Sequence, residues 1–234
     1  MGPGVALTAS VRFAVICIAF SLLASCGSEK YSGSPLVQAV GAVAKATVGK
    51  VAAKRAGASA ASPAPTSVTR GDLEKFGMPI LRAVIAARGA DAYLTISDTK
   101  GDVVTWSTTD RTTFTLRDGV LIQTRGLGPD LMSAQAPTLG ALRTDGSKYQ
   151  RIYFLLGADD RSTRRTYDCT VSVGGQEVIE VFGRSHRVTH VTESCSRPQD
   201  SIANEFWIEG SVIRKSRQLA SGGAGFIDFE QVVD

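Results

Sequence analysis

The stretch Thr113-Phe114-Thr115-Leu116-Arg117-Asp118-Gly119-Val120-Leu121-Ile122 decides the fold. Asp-Gly between two apolar, β-favouring runs is a two-residue hairpin turn, because both central residues must accept positive φ. Working outward, the same period-two pattern recurs. Ala92, Leu94 and Ile96 alternate with Tyr93, Thr95 and Ser97; Val104 and Trp106 share a face, as do Phe114 and Leu116. Tyr149 to Leu156 reads as another strand. Gly174-Gly175 separates Cys169–Val173 from Val178–Phe182, Glu209-Gly210 separates Asn204–Ile208 from Val212–Leu219, and Gly222-Gly223 precedes Phe226–Val233. Each break predicts a turn. The expected fold is all-β, an antiparallel sheet of about 10–12 strands curled into a barrel, half-barrel or sandwich.

Ahead of the strands the character differs. Thr69 or Asp72 can cap a short helix through Phe76, which Gly77 ends and Pro79 forbids from continuing. Residues 80–88 are ambiguous, since Ala and Leu suit a helix while Val84-Ile85 suit a strand. Residues 27–68 are rich in Ala, Gly, Ser and Val, with almost no aromatics. Leu36 to Arg55 carries a rough apolar stripe, but Lys54 falls on the same side as Leu36, so a helix there is marginal. Ala56 to Thr66, with Pro63 and Pro65, is a linker by composition. The chain is thus expected to divide into a leader over 1–25, a tether over 26–68 and a β domain over 69–234.

In the leader, Arg12 is the only charged side chain. Phe13 to Leu23 is apolar except for Ser21, long enough for a signal-peptide core and too short to span a bilayer. The Leu23-Ala24-Ser25-Cys26 that closes it resembles the bacterial lipobox, in which the thiol is acylated and the cysteine becomes the first mature residue. An exported protein held to a membrane by fatty chains such as palmitate at Cys26 is the expectation. A retained transmembrane helix would need about 20 apolar residues, and Gly27-Ser28-Glu29-Lys30 stops this run well short. A myristoylation signal fails at Ala6.

Processing would remove Cys17, and lipid would occupy Cys26. Cys169 and Cys195 are then the remaining thiols, and an even remainder in an oxidising compartment reads as one disulfide. It would close a loop of about 26 residues, worth roughly 3 kcal/mol in the chain-entropy model. Two separate buried thiols are the alternative.

A formal charge of +4 is small for 234 residues, and the basic groups Lys54-Arg55, Arg164-Arg165 and Arg214-Lys215 are pairs rather than stripes. No nucleic-acid partner is expected. His186 and His190, on a strand-like segment, would stand about 13 Å apart, too far for one zinc. Cys195 lies an odd number of residues from both, so one strand would aim them at opposite faces. Asp159-Asp160 is turn chemistry, and Glu177 and Glu180 have opposite parity. Gly126-Leu127-Gly128-Pro129-Asp130 lacks the Lys-Ser/Thr of a phosphate loop, and no serine sits in a nucleophile elbow. No catalytic residue, metal or cofactor is predicted. Trp106 and Trp207 are expected in the core, with stacking on sugar rings as the alternative.

Leu116 to Leu131 (LRDGVLIQTRGLGPDL) resembles the signature of the YjbF-type (GfcB/YmcC) outer-membrane lipoproteins. So do Asn204-Glu205-Phe206-Trp207-Ile208 and Lys215-Ser216-Arg217-Gln218, and the lipobox at Cys26 fits as well. The resemblance covers roughly 69–234. It implies a large antiparallel sheet curled toward a barrel, which would make 80–88 a strand. It implies a non-enzymatic, lipid-anchored protein on the periplasmic face of the outer membrane, assisting capsule or exopolysaccharide assembly or export. Partners would be an outer-membrane β-barrel and periplasmic export proteins, with the polysaccharide itself a candidate ligand. Gly27 rather than Asp after the lipid cysteine fits outer-membrane sorting in enteric bacteria. No ligand residues carry over. Asp118-Gly119 is read as the turn, Gly126 and Gly128 as a tight backbone path, and Asn204 and Trp207 as packing and hydrogen bonding. Contacts of Arg125, Arg214 and Arg217 with acidic sugars are the functional alternative. A second reading is a periplasmic carrier holding a lipid or glycan in the concave face of the sheet.

Overall fold

Alternating apolar residues place one face of every long strand inward, and short turns pair most strands with their neighbours in sequence. The computed structural model describes residues 68–157 and 159–234. The leader, Cys26, nearly all of the tether and its marginal helix lie outside the described residues. Among the described residues, twelve strands form one sheet: β1 (Ile80–Ile85), β2 (Ala90–Lys100), β3 (Val103–Ser107), β4 (Thr113–Arg117), β5 (Val120–Arg125), β6 (Leu131–Gln135), β7 (Lys148–Leu156), β8 (Ser162–Val181), β9 (Arg184–Arg197), β10 (Asp200–Glu209), β11 (Val212–Ser221) and β12 (Gly225–Val233). The order is β5-β4-β3-β2-β1-β12-β11-β10-β9-β8-β7-β6. This is a meander whose first and last strands pair, β1 with β12 antiparallel. It leaves β5 and β6 as the two edges, which meet at a seam and nearly close a barrel.

The seam is bridged by side chains where a backbone ladder is missing. Thr124 Oγ1 donates to Asp130 Oδ1 at 2.7 Å and accepts from Leu131 N at 2.9 Å. The same carboxylate accepts from Gly126 N and Leu127 N. Arg125 reaches across to Leu131 O and Met132 O. Gly126 and Gly128 both take positive φ. The loop they shape folds back over one end of the barrel, burying Leu127 in the main core. Arg88, from the turn after β1, donates to Leu127 O, and Ser221 Oγ donates to Pro129 O. That end is closed.

The core fills most of the interior with Leu94, Trp106, Phe114, Leu121, Tyr153, Tyr167, Ile227 and Phe229. Asp118 and Gly119 take φ of 46° and 82°, as the Asp-Gly turn requires. β1 stops at Ile85, and Ala86–Arg88 forms a 3-10 turn, so 80–88 is a strand only in its first two thirds.

A five-residue helix, α1 (Arg70–Glu74), precedes the sheet. Thr69 caps it, its hydroxyl accepting from Asp72 N while the Asp72 carboxylate accepts from Thr69 N. Leu73 packs with Ile80 and Val232. Arg70 donates to the carbonyls of Val181, Phe182 and Val232. The tip of the β8–β9 hairpin is thereby held against α1, and Phe182 meets Tyr93 edge to face at 5.6 Å.

Two local expectations are corrected. Gly174-Gly175 is no turn: β8 runs through it for 20 residues, with a register shift between Val173 and Gln176. The reason is a close approach, since a Cβ on Gly174 would lie 3.0 Å from His190 O. The turn falls at Phe182-Gly183 instead. β6 and a short helix, α2 (Leu139–Leu142), were not foreseen.

Candidate functional site at the open end of the barrel

Three two-residue turns, Gly101-Asp102, Asp118-Gly119 and Gly210-Ser211, share the end of the barrel opposite the closing loop. They are laced together. Asp118 N donates to Asp102 O at 2.9 Å, and Gly119 packs so closely on Ile213 that a Cβ there would lie 3.0 Å from it. Part of this end is filled by α2, whose Leu142 is buried with Val171, Val191, Phe206 and Ile208. Beside the three turns lies a cavity of about 290 Å³. Leu81, Val104, Trp106, Leu116 and Phe229 give it an apolar wall; Ser216 and Gln231 add polar atoms, and Asp102 and Asp118 stand at the rim.

Beneath the cavity lies a buried polar network. Glu193 is fully buried and accepts from Tyr149 Oη at 2.7 Å, Arg151 Nη1 at 2.7 Å and Asn204 Nδ2 at 2.6 Å. Arg151 also reaches Leu121 O. Gln218 accepts from Leu121 N and donates to Gly119 O and Ser216 Oγ. Asn204 Oδ1 accepts from Leu219 N where β10 and β11 have stopped pairing. The network therefore satisfies the free edge of β5 from the far wall and fixes Gly119 and Ser216 at the cavity. Burial works against the Arg151 charge, but Glu193 together with Tyr153 and Tyr149 more than offsets it, and the guanidinium is held above its ordinary pKa. Burial, followed by the Glu193 charge, raises the Tyr149 phenol, and burial pushes Tyr153 up to about 12. The pair is chemically quiet: its charges neutralise one another and face no solvent.

The residues singled out from sequence scatter. Cys169 and Cys195 are opposite one another on β8 and β9, with Cα atoms 4.0 Å apart and the sulfurs joined in a disulfide. Glu193 comes near both sulfurs, but bonded sulfurs offer no thiolate to a metal. His186 Nδ1 lies 3.1 Å from Glu209 Oε2, whereas His190 stacks on Trp207 at 4.7 Å, so the two histidines serve different contacts. Trp106 is core, as expected. Trp207 is not: it stands partly exposed, donating to Glu177 Oε1 at 2.6 Å with Lys215 over its ring. Its neighbours Phe206 and Ile208 take the inward positions. Arg125 is spent on the seam, Arg214 pairs with Glu209 and Asp234, and Arg217 pairs with Asp228. None of the three lines the cavity.

The polar network was missed at the sequence level, though parity could have found it. Glu193 shares the inward phase of Val191 and Cys195, and Arg151 that of Tyr153 and Leu155.

A family model described as "Group 4 capsule polysaccharide lipoprotein gfcB, YjbF" matches residues 47–232. The match begins inside the stretch read as tether, ahead of the expected domain start. Among solved structures, the crystal structure of the hypothetical lipoprotein YmcC from Escherichia coli (K12) superposes with a TM-score of 0.62 at 20% identity, covering 72% of this chain and 90% of that one. The likeness is one of fold. No curated protein matches the sequence.

Proposed function

This chain belongs to the YjbF family of group 4 capsule polysaccharide lipoproteins, and from that premise we propose a lipid-anchored, non-enzymatic accessory role in capsule or exopolysaccharide assembly or export. Cys26 carries the lipid, residues 26–68 span from the membrane to the β domain, and the protein sits on the periplasmic face of the outer membrane. Its partners are an outer-membrane β-barrel and periplasmic export proteins.

The family match over 47–232 carries this reading. The side-chain arrangement supports the non-enzymatic part. The buried carboxylate Glu193 is neutralised by Arg151, and the histidines are engaged in separate contacts. Deleting the gene in a capsule-producing host is expected to lower surface polysaccharide, and a plasmid copy to restore it. Unchanged polymer after deletion contradicts the role.

One observation favours a second reading, a carrier module for glycan or lipid. The concave interior is largely filled, yet the cavity at the open end presents Trp106 beside polar groups. The carrier reading therefore narrows from the whole concave face to this mouth.

A further inference from the structure

The chemistry of the mouth cavity selects among ligands. Ser216 is 1% exposed, and its Oγ accepts from Gln218 Nε2. A hydroxyl has one proton to give, and accepting leaves that proton for the cavity. Gln231 spends its Nε2 on Val233 O, so its Oε1 remains an acceptor at the wall. Trp106 and Leu116 supply the apolar surface from β3 and β4, and Phe229 pairs directly across from Ser216. A ligand that satisfies all of these needs an apolar face and a hydroxylated edge, which describes a pyranose ring. An acyl chain would leave the buried Ser216 proton unpaired, and an unmet buried donor is costly. At about 290 Å³, the space lies at the small end of ligand sites and suits one ring, with the rest of a chain leaving through the mouth.

Charge at the rim narrows the class. Among the described residues, Asp102 and Asp118 are the acidic side chains lining the cavity. Arg117 approaches Asp102 only to 3.8 Å, with both side chains well exposed, so the pair neutralises the rim weakly. An anionic sugar would meet like charge.

We propose that this cavity binds a single neutral or amino-bearing sugar ring and disfavours uronic acids. The assignment deepens the polysaccharide role above and rests on it for the source of the sugar.

The test uses the full-length protein purified in detergent, with Trp207→Phe so that Trp106 is the sole tryptophan. Methyl glycosides of glucose and galactose, glucosamine, glucuronic acid and laurate are titrated while indole emission is followed. A saturable change with a neutral glycoside in the millimolar range is expected. Glucosamine should bind about two- to fivefold tighter, the span that exposed charge pairs supply. The double variant Asp102→Asn, Asp118→Asn should erase that preference. Val212 is 37% exposed on the cavity wall, so Val212→Phe should block binding while leaving the circular dichroism spectrum unchanged. Absence of saturation with every neutral and amino sugar overturns the assignment. So does tightest binding by glucuronic acid, or saturation by laurate alone. Polymer loss on deletion without sugar binding would remove only this assignment; sugar binding with unchanged polymer would remove only the capsule role.

Discussion

Gln218 Oε1 accepts the backbone N–H of Leu121 at 2.8 Å, so an edge amide of β5 is satisfied by a side chain from β11, which is not its neighbour in the sheet. The sheet order leaves β5 unpaired on one side, and an exposed edge invites association with other strands. Here the edge turns inward and the network meets it. Replacing Gln218 with Leu would leave Leu121 N buried without a partner and free Gly119 O at the cavity. The expected cost is about 1–3 kcal/mol per orphaned group, read as a lower urea midpoint. An unchanged midpoint would mean that the edge is satisfied elsewhere.

Arg151 and Glu193 are both fully buried and 2.7 Å apart. Removing one partner strands the other charge, so Arg151→Met or Glu193→Leu alone should destabilise by about 3–5 kcal/mol. The double variant should recover part of that loss, though Tyr149 and Asn204 lose an acceptor with Glu193. A double-mutant cycle in guanidinium measures the coupling. Additive losses would contradict a coupled pair.

The Cys169–Cys195 bridge joins β8 to β9 in the main core. Peptide mapping without reductant is expected to recover the two segments as one linked species. Replacing both cysteines with Ala should cost about 2–5 kcal/mol. Free, alkylatable thiols at both positions in protein extracted from cells would contradict the bridge.

The α1 cap gives an acid-sensitive contact. The Thr69 hydroxyl, and then Lys75, hold the Asp72 carboxyl at about 2, below its ordinary 3.8. A carboxylate with a depressed folded-state pKa stabilises above its unfolded value and loses that contribution as pH falls through the folded one. Fraying of α1 is therefore expected as pH drops from about 4 toward 2. Its measure is the Asp72 carboxyl shift in a nuclear magnetic resonance titration, and Asp72→Asn should remove the transition. A midpoint near 3.8 would show that the cap does not form.

Much of the architecture was legible in the sequence. Asp118-Gly119 marked a real hairpin turn because both residues take positive φ, Gly210 marked another at Gly210-Ser211, and strand alternation was regular between them. The Gly174-Gly175 reading failed because a glycine pair signals either a turn or a close backbone approach, and only the pairing partner decides. The true turn was hidden because it uses Phe182 at φ 48°. β6 has a single fully buried residue, Leu131, so its pattern was too thin to see. Trp207 was misplaced because Phe206-Trp207-Ile208 is apolar throughout and masks its own parity. The cavity is assembled from separate strands and turns, and no local spacing encodes it. The signature Gly126 to Asp130, unexplained by any reactive motif, proves to close one end of the barrel.

The lipid anchor at Cys26 is the claim on which location and role both depend. Intact mass and N-terminal peptide mass of the mature protein, extracted from membranes of its host, test it directly. The account predicts a chain that begins at Cys26 and carries added acyl mass on that residue. An unmodified Cys26, or a mature chain retaining residues 1–25, would contradict it.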